Sequence, residues 1–241
     1  MKYAVISDVH GNLEALEAVL AVASREKVGD YWCLGDLVGY GANPNECIER
    51  LRPLCSAIVI GNHDAVCVGR DGPSGFNSYA RDAIQWTAAQ LTPANIEWLK
   101  DLPYTAEIKD VLLSHAAPYE PDRWHYLTRT GDMMESFQAT PARLIFIGHS
   151  HQPLILFNKG KEFFWFEGDY LHLEPHHRYI MNVGSVGQPR DGNPNASFAI
   201  YDSSARTVRI WRVEYDVTLS QRKIIEAGLP EVLASRLALG A

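Results

Sequence analysis

Hydrophobic positions along this chain recur on two periods. Tyr3 to Ile6 is a short unbroken apolar run, the pattern of a buried strand. From about Asn12 to Glu26, Leu13, Leu16, Leu20 and Ala23 share one helical face, with Asn12 placed to cap it. Tyr31 to Leu34 predicts a second strand. Pro44 opens a helix near residue 43 and Pro53 ends it, and Ala57 to Ile60 predicts a third strand. Strand, helix, strand, helix, strand is the order of an α/β fold with parallel strands.

The pattern then changes. Residues 66–75, with Gly69, Gly72, Pro73 and Gly75, read as a loop. Phe76, Ala80, Ala83, Ile84, Thr87 and Leu91 follow a helical period. Thr92-Pro93 opens a further helix that stops near Pro103. Strands resume at Val111 to Leu113 and Leu144 to Ile147. Beyond them the chain reads as mostly β: Leu154 to Phe157 and Glu162 to Phe166 flank a predicted turn at Asn158-Lys159-Gly160. Tyr179 to Val183, Ser197 to Tyr201 and Thr207 to Val213 continue the series. Two helices close it, from about Leu219 to Ala227 and from Pro230 to Leu239.

Composition narrows the picture. At 241 residues and 46% hydrophobic, the chain can build a sizeable core, and a single domain over 1–241 is the expectation. A net charge of −7 argues against general binding to nucleic-acid backbones, which needs a basic surface. No apolar run approaches membrane-spanning length. Cys33, Cys47, Cys55 and Cys67 form no C-x-x-C pair or disulfide framework, so free thiols and a reducing cytoplasm are expected. The sequence does not indicate an oligomeric state.

Five polar segments then stand out: Ser7-Asp8-Val9-His10, Gly35-Asp36-Leu37-Val38-Gly39-Tyr40-Gly41, Gly61-Asn62-His63-Asp64, Ser114-His115 and Gly148-His149-Ser150-His151. Each supplies a carboxylate, imidazole or amide oxygen where a strand would end. In open α/β sheets functional residues gather outside the carboxyl ends of strands, so the five are expected at one edge of one sheet. Asp8 and His10, like His149 and His151, are two residues apart and can converge on one ion. Divalent ions such as Mn²⁺, Fe²⁺, Zn²⁺ and Ni²⁺ accept this mixture of N and O ligands, with availability deciding among them.

In this order the segments resemble the calcineurin-like metallophosphoesterase superfamily, in particular its small bacterial and archaeal phosphodiesterase-like members. The resemblance runs from residue 8 to 151 in its motifs and to about residue 216 in its β-rich remainder. It implies a four-layer α-β-β-α sandwich of two mixed sheets, with residues 76–103 as a helical, cap-like insertion near the site. It also implies two divalent ions, manganese foremost. Asp8, His10 and His151 would hold one; Asn62, His115 and His149 the other; Asp36 would bridge them. His63 would contact the substrate phosphate and assist the leaving group, with Asp64 beside it to orient it. Ala116 follows His115 where the family often has Gly, which leaves the ligand intact.

The implied activity is hydrolysis of a small phosphomonoester or phosphodiester, a nucleotide among them, by direct attack of metal-bound hydroxide. Around the motifs, Arg190 in the Gly-rich loop 182–190 is a candidate phosphate ligand, against a plain turn with Arg190 paired to Asp191. The loop glycines could offer N–H groups to an anion. Arg123, Trp124 and His125 could stack a base or hold a second phosphate, against packing of the insertion helices by Trp124 and Tyr126. Trp86 and Trp98 read as core. Two alternatives accompany this function. One is a non-catalytic scaffold of the same fold. The other is a protein phosphatase or nuclease, disfavoured because Leu37-Val38-Gly39 replaces the Asp-Arg-Gly of the serine/threonine phosphatases and because the charge is acidic.

Overall fold

The computed structural model of the chain describes residues 1–160 and 162–241. The elements run β1 (Lys2–Ile6), α1 (Leu13–Arg25), β2 (Asp30–Cys33), α2 (Pro44–Leu51), β3 (Cys55–Ile58), α3 (Asn62–Cys67), α4 (Ser78–Gln90), α5 (Pro93–Lys100), β4 (Thr105–Ile108) and β5 (Val111–Ser114). They continue with α6 (Thr130–Ala139), β6 (Leu144–Ile147), β7 (Leu154–Lys159), β8 (Glu162–Phe166), β9 (Tyr170–His172), β10 (Arg178–Asn182), β11 (Ala196–Asp202), β12 (Thr207–Val213), α7 (Val217–Glu226) and α8 (Glu231–Leu239).

Two mixed sheets result. One has the order β3-β2-β1-β11-β12-β9, the other β4-β5-β6-β10-β7-β8. β1, β2 and β3 pair in parallel, as do β5, β6 and β10, while β11 and β7 join antiparallel. The period-2 alternation of the strands sets the layers. In β1, Val5 points between the sheets, whereas Ala4 and Ile6 pack under α1 and α2. In β6, Leu144 and Phe146 face the intersheet core and Ile145 and Ile147 face α6. The intersheet layer is anchored by buried Trp32, whose ring lies 4.2 Å from Tyr3 and 6.3 Å from Phe146. The architecture is thus the α-β-β-α sandwich with two mixed sheets.

The caps follow the sequence. Asn12 accepts from the Ala15 N–H at 3.1 Å, and Thr92 caps α5 with Pro93 in its first turn. Four elements escaped the pattern, among them α3, whose Val66 and Cys67 were expected in the loop 66–75. β4 and β9 are only four and three residues long. α6 buries Met133, Ser136 and Phe137 on an otherwise polar helix. The hairpin turn also falls later than predicted, because Asn158 and Lys159 both belong to β7, with Lys159 opposite Glu162.

Among the described residues no helix is long and apolar enough to cross a membrane. The four cysteines are free, with Cys33, Cys47 and Cys67 buried. In the 76–103 segment, Ile84, Leu91, Leu99 and Leu102 join the core beneath the first sheet. Only its leading end, from Phe76 to Ala80, reaches the cleft described below. Trp86 and Trp98 pack half-buried against core clusters, and Trp98 also carries the Arg52 guanidinium at 5.4 Å.

Candidate metal centre

The five polar segments meet, but across two sheets. Asp8, Asp36 and Asn62 follow β1, β2 and β3 of the first sheet. His115, His149 and His151 follow β5 and β6 of the second. The expectation of one sheet edge is therefore corrected: the site straddles the carboxyl edges of both sheets. Which strands share a sheet depends on long-range pairing that local patterns do not encode.

The backbone at this seam is unusual. Asp8, His10, Asp36, His149 and His151 all have φ between 50° and 67°. Left-handed backbone costs a non-glycine residue about 1–2 kcal/mol. It turns each chain sharply off its strand and swings side chains inward. Close glycines make room. Gly35 has φ +92°, and a Cβ there would sit 2.4 Å from the Gly61 nitrogen. Gly35→Ala is expected to destabilise the fold by about 2 kcal/mol or more, because backbone would have to separate. Urea unfolding reads this directly, and wild-type stability in the variant would contradict the packing argument.

Three imidazoles are aimed by backbone carbonyls. Nδ1 of His10 lies 3.1 Å from the Val38 oxygen, Nδ1 of His115 2.8 Å from Leu34, and Nδ1 of His151 2.5 Å from Gln188. A carbonyl only accepts, so each Nδ1 carries the proton and each Nε2 presents a lone pair. Those lone pairs converge with carboxylate and amide oxygens. His10 Nε2 lies 3.1 Å from His151 Nε2 and 3.6 Å from Asp36 Oδ2. His151 Nε2 lies 3.2 Å from Asp8 Oδ1. His115 Nε2 lies 3.1 Å from Asn62 Oδ1 and 3.4 Å from Asp36 Oδ2. Asp8 Oδ1 is buried without a hydrogen-bond partner.

Acceptors packed this closely repel unless a proton or cation sits among them. Without an ion, protons answer this at one place only, Nε2 of His115. Burial holds His10 at about 3 and drives His151 well below the usual imidazole range. At His115 burial also opposes the charged form, yet Asp36 outweighs it and raises the group to about 9. The ligand atoms of Asp8, His10 and His151 lie within 4.8 Å of one another, as do those of Asp8, Asp36 and His115. Both triads fit a divalent ion, and Asp8 is common to the two.

His149 is held differently. Its backbone N–H donates to Asp8 Oδ2 at 3.0 Å, while its ring stacks on Tyr126 at 4.2 Å and meets the His115 ring edge-on at 5.1 Å.

His63 lies beside the cluster. Its Nδ1 is buried without a partner, and its ring packs 4.4 Å from Tyr40, 4.8 Å from His10 and 4.8 Å from Phe76. Burial lowers it to about 3, so at neutral pH it is a neutral ring with one N–H. One of its nitrogens also lies within 4.8 Å of ligand atoms of His10 and Asp36.

Asp64 does not orient His63. Its carboxylate accepts from the Val38 and Gly61 N–H groups, both at 3.1 Å, and stitches two site loops together. Burial, with Asp36 nearby, raises it to about 7. The adjacent side chains face apart, because Asp64 sits three residues after the α3 cap and turns back to it.

The loop at 182–190 supports the site and does not cradle an anion. The N–H groups of Val186, Gly187 and Arg190 donate to the Ser7, Asp8 and His151 carbonyls, and those of Gly184 and Gln188 to Asn182 and Ser185 side chains. Arg190 is not paired with Asp191, which bonds Arg212 instead. Its guanidinium donates to Gln188 Oε1 at 2.8 Å and lies 5.7 Å over the Tyr40 ring, leaving Nη1 outside these bonds.

A cleft of about 300 Å³ opens over the cluster, bordered by His63, Arg190, Arg123, Trp124 and Tyr126 among others. Trp124 is chiefly a packing residue: its Nε1 donates to Asp71 at 2.7 Å and its ring meets Tyr104 and His115. His125 is outside this cleft, because it stacks on Tyr119 and pairs with Glu120 at 3.2 Å. Tyr40 and Gln188 were not singled out by sequence reasoning, and Tyr126 entered it only within the aromatic stretch 118–126. For Tyr40 a signal existed, its place within the Gly35 to Gly41 segment.

Comparison with known proteins agrees with this geometry. Residues 1–206 match the profile of the calcineurin-like phosphoesterase superfamily domain. An uncharacterized protein of Methanocaldococcus jannaschii is 43% identical over 98% of this chain and 97% of its own. A metallophosphoesterase from Sphaerobacter thermophilus superposes with a TM-score of 0.89 at 42% identity, covering 100% of this chain and 99% of that one. A symmetrical bis(5′-nucleosyl)-tetraphosphatase of Hamiltonella defensa is 28% identical over 48% of this chain and 44% of its own. Motif order, sandwich and converging ligand atoms lead to the same place as these likenesses, and the chain belongs to the calcineurin-like phosphoesterase superfamily.

Proposed function

We propose that this protein is a dinuclear metal-dependent phosphoesterase that hydrolyses a small phosphate mono- or diester. The observation that carries the reading is the cluster of lone pairs between the two sheets. Asp8, His10 and His151 would hold one divalent ion, Asn62, His115 and His149 the other, with Asp36 between them. Manganese is the first candidate, and iron, zinc and nickel suit the same donors. Such a pair supplies a water acidified toward neutral pH and a clamp for phosphoryl oxygens.

The chain's own residues do the rest. The neutral His63 ring offers its N–H to a phosphoryl oxygen in the cleft. Arg190, held against Tyr40 by Gln188, presents its remaining N–H groups to a second oxygen. Exposed Arg123 adds positive charge at the cleft wall. The tetraphosphatase relative makes nucleotides the first substrates to try, including two nucleosides joined through phosphates.

The test is a panel of nitrophenyl mono- and diesters and nucleotides, assayed on Mn²⁺-loaded protein. Activity is expected to vanish after chelation and dialysis and to return with Mn²⁺. Metal-loaded protein inert toward every ester would favour a scaffold that binds ions without turnover.

A further inference from the structure

A second cavity lies beside the cleft over the acceptor cluster. Tyr126 lies across the His149 ring, centroids 4.2 Å apart and planes 23° apart. The pair forms a common wall. On one side is the cleft of about 300 Å³, on the other a smaller cavity of about 110 Å³.

The chemistry of the smaller cavity is different. Ala117, Leu127, Ile147 and Leu154 supply apolar surface. Its polar side chains are engaged with protein. Thr128 Oγ1 donates to Asp132 at 3.2 Å, Asn182 Nδ2 to Ser150 at 3.0 Å, and Gln152 Nε2 to the Arg190 carbonyl at 3.0 Å. His125, which borders it too, is turned to Glu120. An apolar cavity with an aromatic wall favours a flat uncharged ring and disfavours a charge.

Two neighbouring spaces of opposite character, sharing the Tyr126–His149 wall, suit a molecule charged at one end and aromatic at the other. We propose that the smaller cavity is a subsite for a planar aromatic substituent of the phosphate ester, a nucleobase or aryl group, with Tyr126 as its stacking residue. This rests on the reading of the acceptor cluster as a phosphoesterase centre. Tyr126 is 49% exposed, so a ligand ring can reach it without opening the core. With the polar groups engaged, selection acts through ring area more than through base identity, as stacking platforms do.

Binding of adenosine 5′-monophosphate and of ribose 5-phosphate to Mn²⁺-loaded protein, followed by calorimetry, isolates the ring. Both carry the same phosphate monoester, and only one carries a base. The monophosphate is expected to bind about 10-fold more tightly, within the range of one base stacked on one aromatic side chain. Tyr126→Ala is expected to bring that ratio to within about twofold of unity, and Tyr126→Phe to keep it. A ratio near unity in the wild type overturns the subsite. So does a ratio that survives Tyr126→Ala while both affinities fall, since Tyr126 would then only prop His149. Turnover separates the two claims. Hydrolysis with a ratio of unity removes the subsite alone, whereas a Tyr126-dependent ratio without hydrolysis removes the enzymatic reading and leaves an aromatic-binding pocket.

Discussion

Asp36→Asn is expected to lower turnover about a thousandfold or more, on the order of 4 kcal/mol of barrier, and to reduce bound metal below two ions per chain. Asp36 is nearly isosteric with asparagine, so the change removes charge with little loss of shape. Its Oδ1 accepts from the His63 backbone N–H at 2.8 Å, and its Oδ2 faces both His10 at 3.6 Å and His115 at 3.4 Å. An amide placed there would turn either its NH₂ or its uncharged oxygen toward two imidazole lone pairs. It could not serve two cations as a carboxylate does. The measurement pairs elemental analysis of metal content with kcat on the best ester. Two tightly held ions together with near-normal kcat would remove Asp36 from the bridging position.

His63→Ala is expected to separate binding of metal from chemistry. Turnover should fall about 100- to 1,000-fold, the range for losing one aimed donor in a catalytic site, while both ions stay. The ring touches Tyr40 and Phe76 on the cleft side and has a buried nitrogen with no protein partner. That nitrogen, Nδ1, is buried against Gly39, so Nε2 is the one left to meet a ligand oxygen in the cleft that the ring borders. The competing assignment is explicit in the geometry, since His63 also lies within ligand distance of His10 and Asp36. Loss of an ion in His63→Ala would make it a ligand. His63→Gln, which restores an N–H on a shorter side chain, should recover part of kcat if donation is the role.

How much could be read from the chain depended on how local each feature is. Asp8-Val9-His10 and His149-Ser150-His151 are contiguous with the strands that carry them, so their identity and their strand-end position were legible together. The join between them was not. Asp8 meets His149 only because β1 and β6 lie in facing sheets, and the bond between them spans 141 residues. The carbonyls of Leu34, Val38 and Gln188 that aim three imidazoles were also invisible, because every residue carries a carbonyl and none announces its direction. The Gly-rich loop misled for a related reason. Its glycines suggested free N–H groups for an anion, whereas they permit the backbone to approach Ser7 and Asp8, some 180 residues away, and bond there. Asp64 misled through adjacency: neighbours on a helix project in different directions, and its carboxylate closes a cap.

The left-handed backbone at Asp8, His10, Asp36, His149 and His151 has a bearing on how this protein can evolve. Glycine would relax at each of these five positions, and each relaxation would delete a side chain that the cluster uses. Stability selection and catalytic selection therefore pull in opposite directions at the same codons. Glycine at these positions would be expected to raise stability while removing the donors that would hold ions. Holding five such side chains in backbone that resists them costs about 1–2 kcal/mol at each position, a cost that glycine at the same places would remove.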